Sequence, residues 1–313
     1  MKTIDIVVPC YNEEAMLEMF YNESEKIYKT IDGYSFTYVF VNDGSKDKTH
    51  LILKDLSQKY NNVKYISFSR NFGKEAAMYA GLCNTHADYV IVMDADLQHP
   101  PALIPQMLKE IEKGYDCCAA MRTSRKGESK IKSAFSAFYY KLSNRFTDVH
   151  LVQNAVDFRI MSRQMADNIV RLSEVQRFSK GIFEWVGFNT SWIPYENVER
   201  PLGETKWSFK NLLKYAITGI TSFSIVPLRF LTCSGLFISF LAFIMILITF
   251  VRKLAFGIDV SGYASLMIVV LFMGGIIELS LGILGEYVAN IYLEAKDRPI
   301  YIIQDTNIKD TDK

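Results

Sequence analysis

The chain has 313 residues, half of them hydrophobic, and a formal net charge of +1. This near-neutral charge gives no electrostatic argument for nucleic-acid binding, and the length allows one large domain with additional segments. The five cysteines lack the paired spacing of a zinc site and their odd number argues against a disulfide framework, so we expect reduced thiols in a cytosolic setting.

Apolar runs alternate with charged, helix-like segments over residues 1 to about 200. The first run, residues 4–9, is too short for a signal peptide and includes Asp5, so we expect a buried first strand. The alternation predicts βαβ units and a mostly parallel α/β sheet with helices on both faces. The other predicted strands are 38–41, 63–68 and 89–93, and the predicted helices are 13–31, 48–60 and 74–85.

Two carboxylates one residue apart follow the run 89–93. Side chains at alternate positions of a strand point the same way, so Asp94, Asp96 and Gln98 form one oxygen-rich patch. Ligands of open parallel sheets bind beyond the carboxyl ends of the strands, and hard oxygen donors suit Mg²⁺ or Mn²⁺ bound together with substrate phosphates. The alternative is a turn with two solvated aspartates, because aspartate is common in turns.

Two long apolar stretches follow the α/β region. Residues 230–251 carry no charge, and 22 residues of helix span about 33 Å, enough for a hydrocarbon core of about 30 Å. The second stretch, 260–285, contains Glu278, which we expect to face the partner helix or another protein surface. A short loop makes the two a hairpin, although a buried core helix is the alternative for each. The flanking lysines and arginines favour both termini in the cytoplasm.

The segments around the hairpin have their own composition. Residues 207–215 mix aromatic residues, leucine and lysine at helical spacing, which predicts a helix on the membrane surface or, alternatively, one packed on the soluble domain. The polar residues 304–313 are expected to be disordered. Small residues in the second span permit close helix contacts and thus a homo-oligomer through the transmembrane helices; they are Gly274, Gly275, Ser280 and Gly282.

Motifs at the ends of the predicted strands occur in a specific order. They are Pro9-Cys10-Tyr11-Asn12-Glu13, Asn42-Asp43-Gly44-Ser45, Arg70-Asn71-Phe72-Gly73-Lys74 and Asp94-Ala95-Asp96-Leu97-Gln98, followed by Asp157-Phe158-Arg159, Arg177-Phe178, Gly203 to Trp207, Gly285-Glu286-Tyr287 and Arg298-Pro299. Together they resemble family 2 glycosyltransferases, and within them the polyprenyl-phosphate branch that includes bactoprenol glucosyltransferase and dolichol-phosphate mannose synthase. The resemblance extends to about residue 302.

The resemblance implies an inverting, metal-dependent transfer of one sugar from a nucleotide-sugar to a polyprenyl phosphate. UDP-sugars and undecaprenyl phosphate are favoured because the compact two-span layout suits a bacterial chain. The enzyme would be a multi-pass protein of the cytoplasmic membrane with its catalytic domain in the cytoplasm. The implied layout is a GT-A type domain over 1–205, an amphipathic segment over 206–229, transmembrane helices over 230–251 and 260–285, and a cytoplasmic tail over 286–313.

The donor side of the implied site combines a metal with a nucleotide pocket. Mg²⁺ or Mn²⁺ would neutralise the leaving diphosphate, held by Asp94, Asp96 and Gln98, although Asp94 could instead face the nucleotide. Tyr11 would stack on the base, Glu13 and Asp43 would accept hydrogen bonds from base or ribose, and Lys74 would reach the donor phosphates or cap its helix. The full set implied for the nucleotide-sugar is Pro9, Tyr11, Glu13, Asp43, Lys74 and Asp94.

The acceptor side requires cations, because an ionised lipid phosphate is its own nucleophile and arginine binds phosphate in a bidentate manner. The resemblance assigns this role to Arg122, Arg159, Arg177 and Lys206, whereas Arg125 and Lys132 are expected to be surface charges. Asp96 and Asp157 are the implied catalytic carboxylates. Asp157 could equally orient Arg159, and Val156 replaces the small residue usual before this motif.

Two other functions compete with this interpretation. A processive polysaccharide synthase would carry a Gln-x-x-Arg-Trp signature, which the segment 176–180 lacks, and two spans are too few for a pore. A non-catalytic membrane scaffold could keep the fold, but it would not need Asp94, Asp96 and Gln98.

Overall fold

The computed structural model describes residues 1–123, 140–141, 143–147, 149–196, 217–256 and 262–309. The chain divides into two compact units, of which the first comprises Met1–Gly219 with Arg298–Lys313 and the second comprises Ile220–Asp297. The first unit therefore contains chain from both sides of the second.

The first unit is built on a sheet of eight strands in the described residues, in the order β7-β5-β6-β4-β1-β2-β3-β8. β1 pairs in parallel with β2 and β4, β2 with β3, and β5 with β7, whereas β6 runs antiparallel to β4 and β5, and β8 antiparallel to β3. The strands are β1 Lys2–Cys10, β2 Tyr34–Asn42, β3 Val63–Phe68, β4 Tyr89–Val92, β5 Cys117–Arg122, β6 Ala155–Ser162, β7 Thr190–Tyr195 and β8 Ile303–Thr306.

Helices cover both faces of this sheet. They are α1 Leu17–Tyr28, α2 Thr49–Lys59, α3 Lys74–Cys83, α4 Ile104–Glu112, α5 Arg163–Arg171 and α6 Ser179–Trp185. Alternate residues of β2 enter different cores: Tyr38 and Phe40 pack in one cluster, Val39 and Val41 in the other. Such burial on both faces explains the continuous apolar runs, and the predicted mostly parallel α/β sheet is confirmed.

The second unit contains two long apolar helices, α7 Val226–Phe256 and α8 Tyr263–Ala295. Within them, Val226–Val251 and Ser265–Ala295 are long and apolar enough to cross a membrane, with mean hydropathies of 2.5 and 2.4 and no burial inside the chain. The predicted apolar hairpin is therefore confirmed, although α8 continues to Ala295. Glu278 is exposed in the single chain, so its expected packing against the partner helix is not observed, and an oligomer contact stays a prediction.

The segment after the hairpin differs from the expectation. Residues 304–313 were expected to be disordered, but β8 forms the edge of the sheet beside β3, so the prediction is wrong for the described part. The physical reason is that polar side chains of the segment 304–307 form hydrogen bonds with β3. The Asn307 side chain accepts from the Tyr65 amide at 2.7 Å and donates to the Val63 carbonyl at 3.0 Å, and the Tyr65 hydroxyl donates to Asp305 at 2.9 Å.

Candidate functional site

The loops that follow β1 and β2 are joined by hydrogen bonds. The Asn12 side chain accepts from the Lys46 amide at 2.8 Å, and its own amide donates to the Ser45 hydroxyl at 2.9 Å. The Glu13 amide donates to the Thr49 hydroxyl at 2.9 Å. These bonds tie the loop after β1 to the loop after β2, and the predicted nucleotide residues Pro9, Tyr11 and Glu13, all half-buried, lie at the carboxyl end of β1.

Asp43 connects the end of β2 to the loop after β3. Its buried carboxylate accepts from the Phe72 amide at 2.6 Å and from the Gly73 amide at 3.0 and 3.1 Å. Burial raises the pKa of Asp43 to about 6, while the two amide bonds act in the opposite direction. Both oxygens are engaged, so the structure gives Asp43 the role of a loop anchor, and a hydrogen bond to a base or ribose stays a prediction.

Gly44 permits this close approach of two loops. Its φ is +61°, and a Cβ there would lie 2.2 Å from the carbonyl carbon of Arg70. We expect Gly44→Ala to lower the melting temperature by more than about 5 °C, since strain and a backbone clash would together cost more than about 2 kcal/mol. Gly33→Ala is the matched control, because Gly33 also has a positive φ of +82° but has open space around it. Equal melting temperatures for the two variants in detergent would contradict the close packing of these loops.

The end of β4 carries the predicted metal ligands Asp94, Asp96 and Gln98. The Gln98 amide donates to Asp96 at 3.1 Å, and Leu97 between them has a φ of 56°, a left-handed conformation unusual for leucine. The Asp94 amide donates to Nδ1 of buried His99 at 3.4 Å. Burial lowers the pKa of His99, which favours the neutral imidazole that this bond requires.

Lys74, the first residue of α3, lies between two carboxylates. Its Nζ is 2.7 Å from Asp94 and 2.7 Å from Asp157. β6 brings Asp157 to this point by pairing antiparallel with β4, with Val92 opposite Arg159. Burial alone would lower the pKa of Lys74, but Asp157 and Asp94 outweigh it and raise the value. Burial alone would raise the pKa of Asp157, but Lys74 above all reverses this and lowers it. Both partners are therefore charged at neutral pH.

The carboxylate edge, which we define as Asp94, Asp96 and Asp157, fits a cation that arrives with phosphates. Lys74 pairs with two of the three carboxylates, Asp94 and Asp157. In the described part of the chain, no three acidic, histidine or cysteine side chains converge on one point. Mg²⁺ commonly takes one or two protein carboxylates and completes its shell with water and substrate phosphates. Asp94 and Asp96, with the Gln98 amide oxygen, provide such a donor set.

Arg122 stands at the end of β5, beside the carboxylate edge. Its Nε donates to the Tyr195 hydroxyl at 3.3 Å, because β5 and β7 pair with Arg122 opposite Tyr195. Burial raises the pKa of Tyr195, while the hydrogen bond and the charge of Arg122 act in the opposite direction. Arg122 is half-exposed, and its contact with the acceptor phosphate stays a prediction.

Two other predicted cations, Arg159 and Arg177, are buried. Arg159 is 1 % exposed, its guanidinium carbon is 3.7 Å from the centre of the Phe183 ring, and it donates to the Val156 carbonyl at 3.3 Å. Its Nε and Nη1 are buried without a hydrogen-bond partner among the described residues, and its contact with the acceptor phosphate stays a prediction. Asp157 binds Lys74 instead of orienting Arg159, so that alternative is not observed.

Arg177 caps a helix. It is 5 % exposed, lies 4.2 Å from the Tyr79 ring centre, and donates to the carbonyls of Ile169 and Leu172 at the end of α5. Arginine commonly satisfies the last carbonyls of a helix in this way. The structure therefore shows Arg177 as a cap of α5, and its contact with the acceptor phosphate stays a prediction. Lys206, Arg125 and Lys132 lie outside the described residues.

Sequence reasoning missed two residues of the site. His99 stacks on Phe158 at 5.4 Å and fixes the backbone of Asp94, and its position directly after the carboxylate motif was a usable signal. Tyr195 had no such signal, because only the pairing of β5 with β7 brings it to Arg122.

Comparison with known proteins assigns the family. The family described as Glycosyl transferase family 2 matches residues 5–170, and the chain belongs to it and is a glycosyltransferase. A second family, the GtrB C-terminal hairpin, matches residues 226–291.

Full-length relatives include a putative glycosyltransferase CsbB of Bacillus subtilis, 47 % identical over 99 % of this chain and 93 % of the relative. The bactoprenol glucosyl transferase of Shigella phage SfV is 40 % identical over 98 % and 99 % of the two chains. One solved structure that matches is glucosyl-3-phosphoglycerate synthase of Mycobacterium tuberculosis, crystallised with Mn²⁺ and uridine-diphosphate-glucose. The match has a TM-score of 0.48 at 18 % identity and covers 70 % of this chain and 78 % of that one.

Proposed function

We propose that this glycosyltransferase moves a single sugar, with inversion, from a nucleotide-sugar to a polyprenyl phosphate. UDP-sugars and undecaprenyl phosphate are the favoured donor and acceptor. The observation that carries the proposal is the presence of the carboxylate edge and an apolar helix hairpin in one chain. The names of relatives such as the bactoprenol glucosyl transferase, 40 % identical over almost the whole chain, support it.

On the donor side, the diphosphate would enter with Mg²⁺ or Mn²⁺ at Asp94 and Asp96. The metal supplies charge neutralisation for the leaving diphosphate. Gln98 would add an amide oxygen, and Lys74, already fixed by two carboxylates, would place a positive charge beside the same phosphates. Pro9, Tyr11, Glu13 and Asp43 would line the nucleotide pocket at the ends of β1 and β2.

On the acceptor side, a phosphate oxygen of the lipid attacks the anomeric carbon from the face opposite the diphosphate. The new bond joins this oxygen to the anomeric carbon while the bond to the nucleoside diphosphate breaks, so the configuration inverts. An ionised phosphate carries no proton that must be removed. Asp157 therefore need not act as a base, which agrees with its pairing to Lys74, and Arg122 would hold the phosphate.

The test is a transfer assay with purified protein that compares undecaprenyl phosphate with undecaprenol, the same lipid without the phosphate. We expect a product that carries one sugar from the phosphate lipid and none from the alcohol. A ladder of longer glycans would favour a processive synthase. No product from either lipid with any common donor would favour a non-catalytic scaffold.

The course of the chain supports a cytoplasmic placement for both ends of the hairpin. The first unit includes residues on both sides of the second, from Met1–Gly219 and from Arg298–Lys313. A folded unit occupies one side of a bilayer, so both outer ends of the hairpin would emerge on that side. The need for a nucleotide-sugar and the positive residues that flank the hairpin favour the cytoplasm as that side.

Reporter fusions test this orientation. Green fluorescent protein after residue 313 should fluoresce, whereas alkaline phosphatase inserted in the hairpin loop at residue 258 should be active outside the cytoplasm. Alkaline phosphatase fused after residue 313 is the control and should be inactive. Activity in that control would contradict the proposed orientation.

A further inference from the structure

The chain that leaves α8 soon joins the sheet of the first unit. α8 ends at Ala295, and β8 begins at Ile303 and pairs antiparallel with β3. This pairing continues past the end of β3, because the Ser69 amide donates to the Ile302 carbonyl at 3.1 Å. Ser69 is the first residue of the segment 69–73, which we call the donor-side loop.

Aromatic rings extend the contact along this loop. Tyr301 stacks on Phe68 with ring centres 5.1 Å apart and planes inclined by 17°. Phe68 in turn meets Phe72 edge to face at 5.7 Å, and Tyr79 of α3 meets Tyr301 at 6.4 Å. The Tyr301 ring therefore supports the residue before the donor-side loop and the helix after it.

The donor-side loop leads directly into the proposed site. The amides of Phe72 and Gly73 donate to Asp43, which lies at the proposed nucleotide pocket. The next residue, Lys74, bridges Asp94 and Asp157. A displacement of Phe68 or Phe72 would thus move the anchor of Asp43 and the origin of the Lys74 side chain together.

We propose that Tyr301 positions the donor-side loop, so that the affinity for the nucleotide-sugar depends on the chain segment after the membrane hairpin. Tyr301 is a positioning residue and touches no substrate in this account. The inference rests on the proposed function, because it concerns the donor of that reaction. Under this inference, the segment that follows the hairpin takes part in donor binding.

The test compares Tyr301→Ala with Tyr301→Phe in the full-length protein. Loss of the ring contacts should raise the donor KM about fivefold to tenfold. This fold-change corresponds to the interaction free energy of one or two aromatic pairs. We expect kcat to change by less than about twofold and the KM for undecaprenyl phosphate to stay constant, because the loop lies on the donor side. Tyr301→Phe keeps the stacked ring and should keep the wild-type donor KM.

Tyr65→Phe is the matched control. It removes the hydroxyl that donates to Asp305 and so weakens the same strand pair away from the donor-side loop. It should lower the melting temperature without raising the donor KM. A merely structural role for Tyr301 would make Tyr301→Ala resemble this control, with fewer active molecules and a lower apparent kcat but unchanged KM values.

The donor used in these assays is the one of UDP-glucose, UDP-N-acetylglucosamine and GDP-mannose that gives the fastest transfer with the wild-type protein. An active wild type with the same donor KM in Tyr301→Ala would overturn this inference and leave the proposed function intact. A wild type that transfers no sugar from any of these donors would overturn the proposed function and this inference with it.

Discussion

Replacing Asp96 by asparagine is expected to reduce sugar transfer at least about a thousandfold, because a metal that stabilises the leaving diphosphate contributes several kcal/mol to the transition state. The loss should result only from the removal of the negative charge of Asp96. The carboxylate accepts a hydrogen bond from the Gln98 amide, and the asparagine side-chain oxygen can accept the same bond. The turn after β4 would therefore keep its conformation.

Asp96→Ala is the companion variant, since it removes both the charge and the hydrogen bond. Both variants should lose transfer and should be recovered in the membrane fraction, but Asp96→Ala should melt at a lower temperature. Rates are measured with radiolabelled donor over a titration of MnCl₂ and MgCl₂. Transfer by Asp96→Asn within tenfold of wild type at saturating metal would remove Asp96 from the metal role.

Replacing Lys74 by methionine is expected to destabilise the protein and to impair transfer. Without the ammonium, Asp94 and Asp157 lose their shared partner, and Asp157, only 16 % exposed, keeps a poorly solvated charge. We expect a loss of about 2 to 3 kcal/mol, which corresponds to a melting temperature lower by roughly 5 to 10 °C. Transfer should fall at least about a hundredfold, since this variant removes the cation that we propose lies beside the diphosphate.

A double-mutant cycle with Asp157→Asn isolates the interaction. Asp157→Asn should cost less stability in the Lys74→Met background than in wild type, with a coupling free energy of about 1 to 3 kcal/mol. Lys74→Arg keeps the charge but changes its geometry, so it should retain more stability than Lys74→Met. Additive effects of Lys74→Met and Asp157→Asn would show that the two residues do not interact in solution.

The sequence pattern was sufficient to predict the strands and helices whose composition or length follows directly from burial or from a membrane environment. The apolar runs of β1 to β4 are buried on both faces, so their composition revealed them, and the length of α7 and α8 indicated membrane helices. Asp94 and Asp96 could be placed because the end of a parallel strand is a known ligand position.

The remaining features depend on contacts between distant residues. Lys74 and Asp157 meet because β6 pairs antiparallel with β4, and the local sequence does not predict this pairing. Arg159 and Arg177 belong to family motifs, but sequence does not distinguish an arginine packed on an aromatic ring from one exposed to phosphate. The segment 304–307 was not predicted to be ordered because it is polar, and the side chains of Asp305 and Asn307 bond to Tyr65 of β3.

The most direct test of the central claim is a panel of radiolabelled donors offered to the purified protein with undecaprenyl phosphate, in MgCl₂, in MnCl₂ and after chelation of divalent metal. The donors are UDP-glucose, UDP-N-acetylglucosamine and GDP-mannose. We predict that one donor, a UDP-sugar, gives a labelled lipid containing a single sugar, and that chelation abolishes its formation. The absence of labelled lipid with every donor and both metals would contradict the assignment of this chain as a polyprenyl-phosphate sugar transferase.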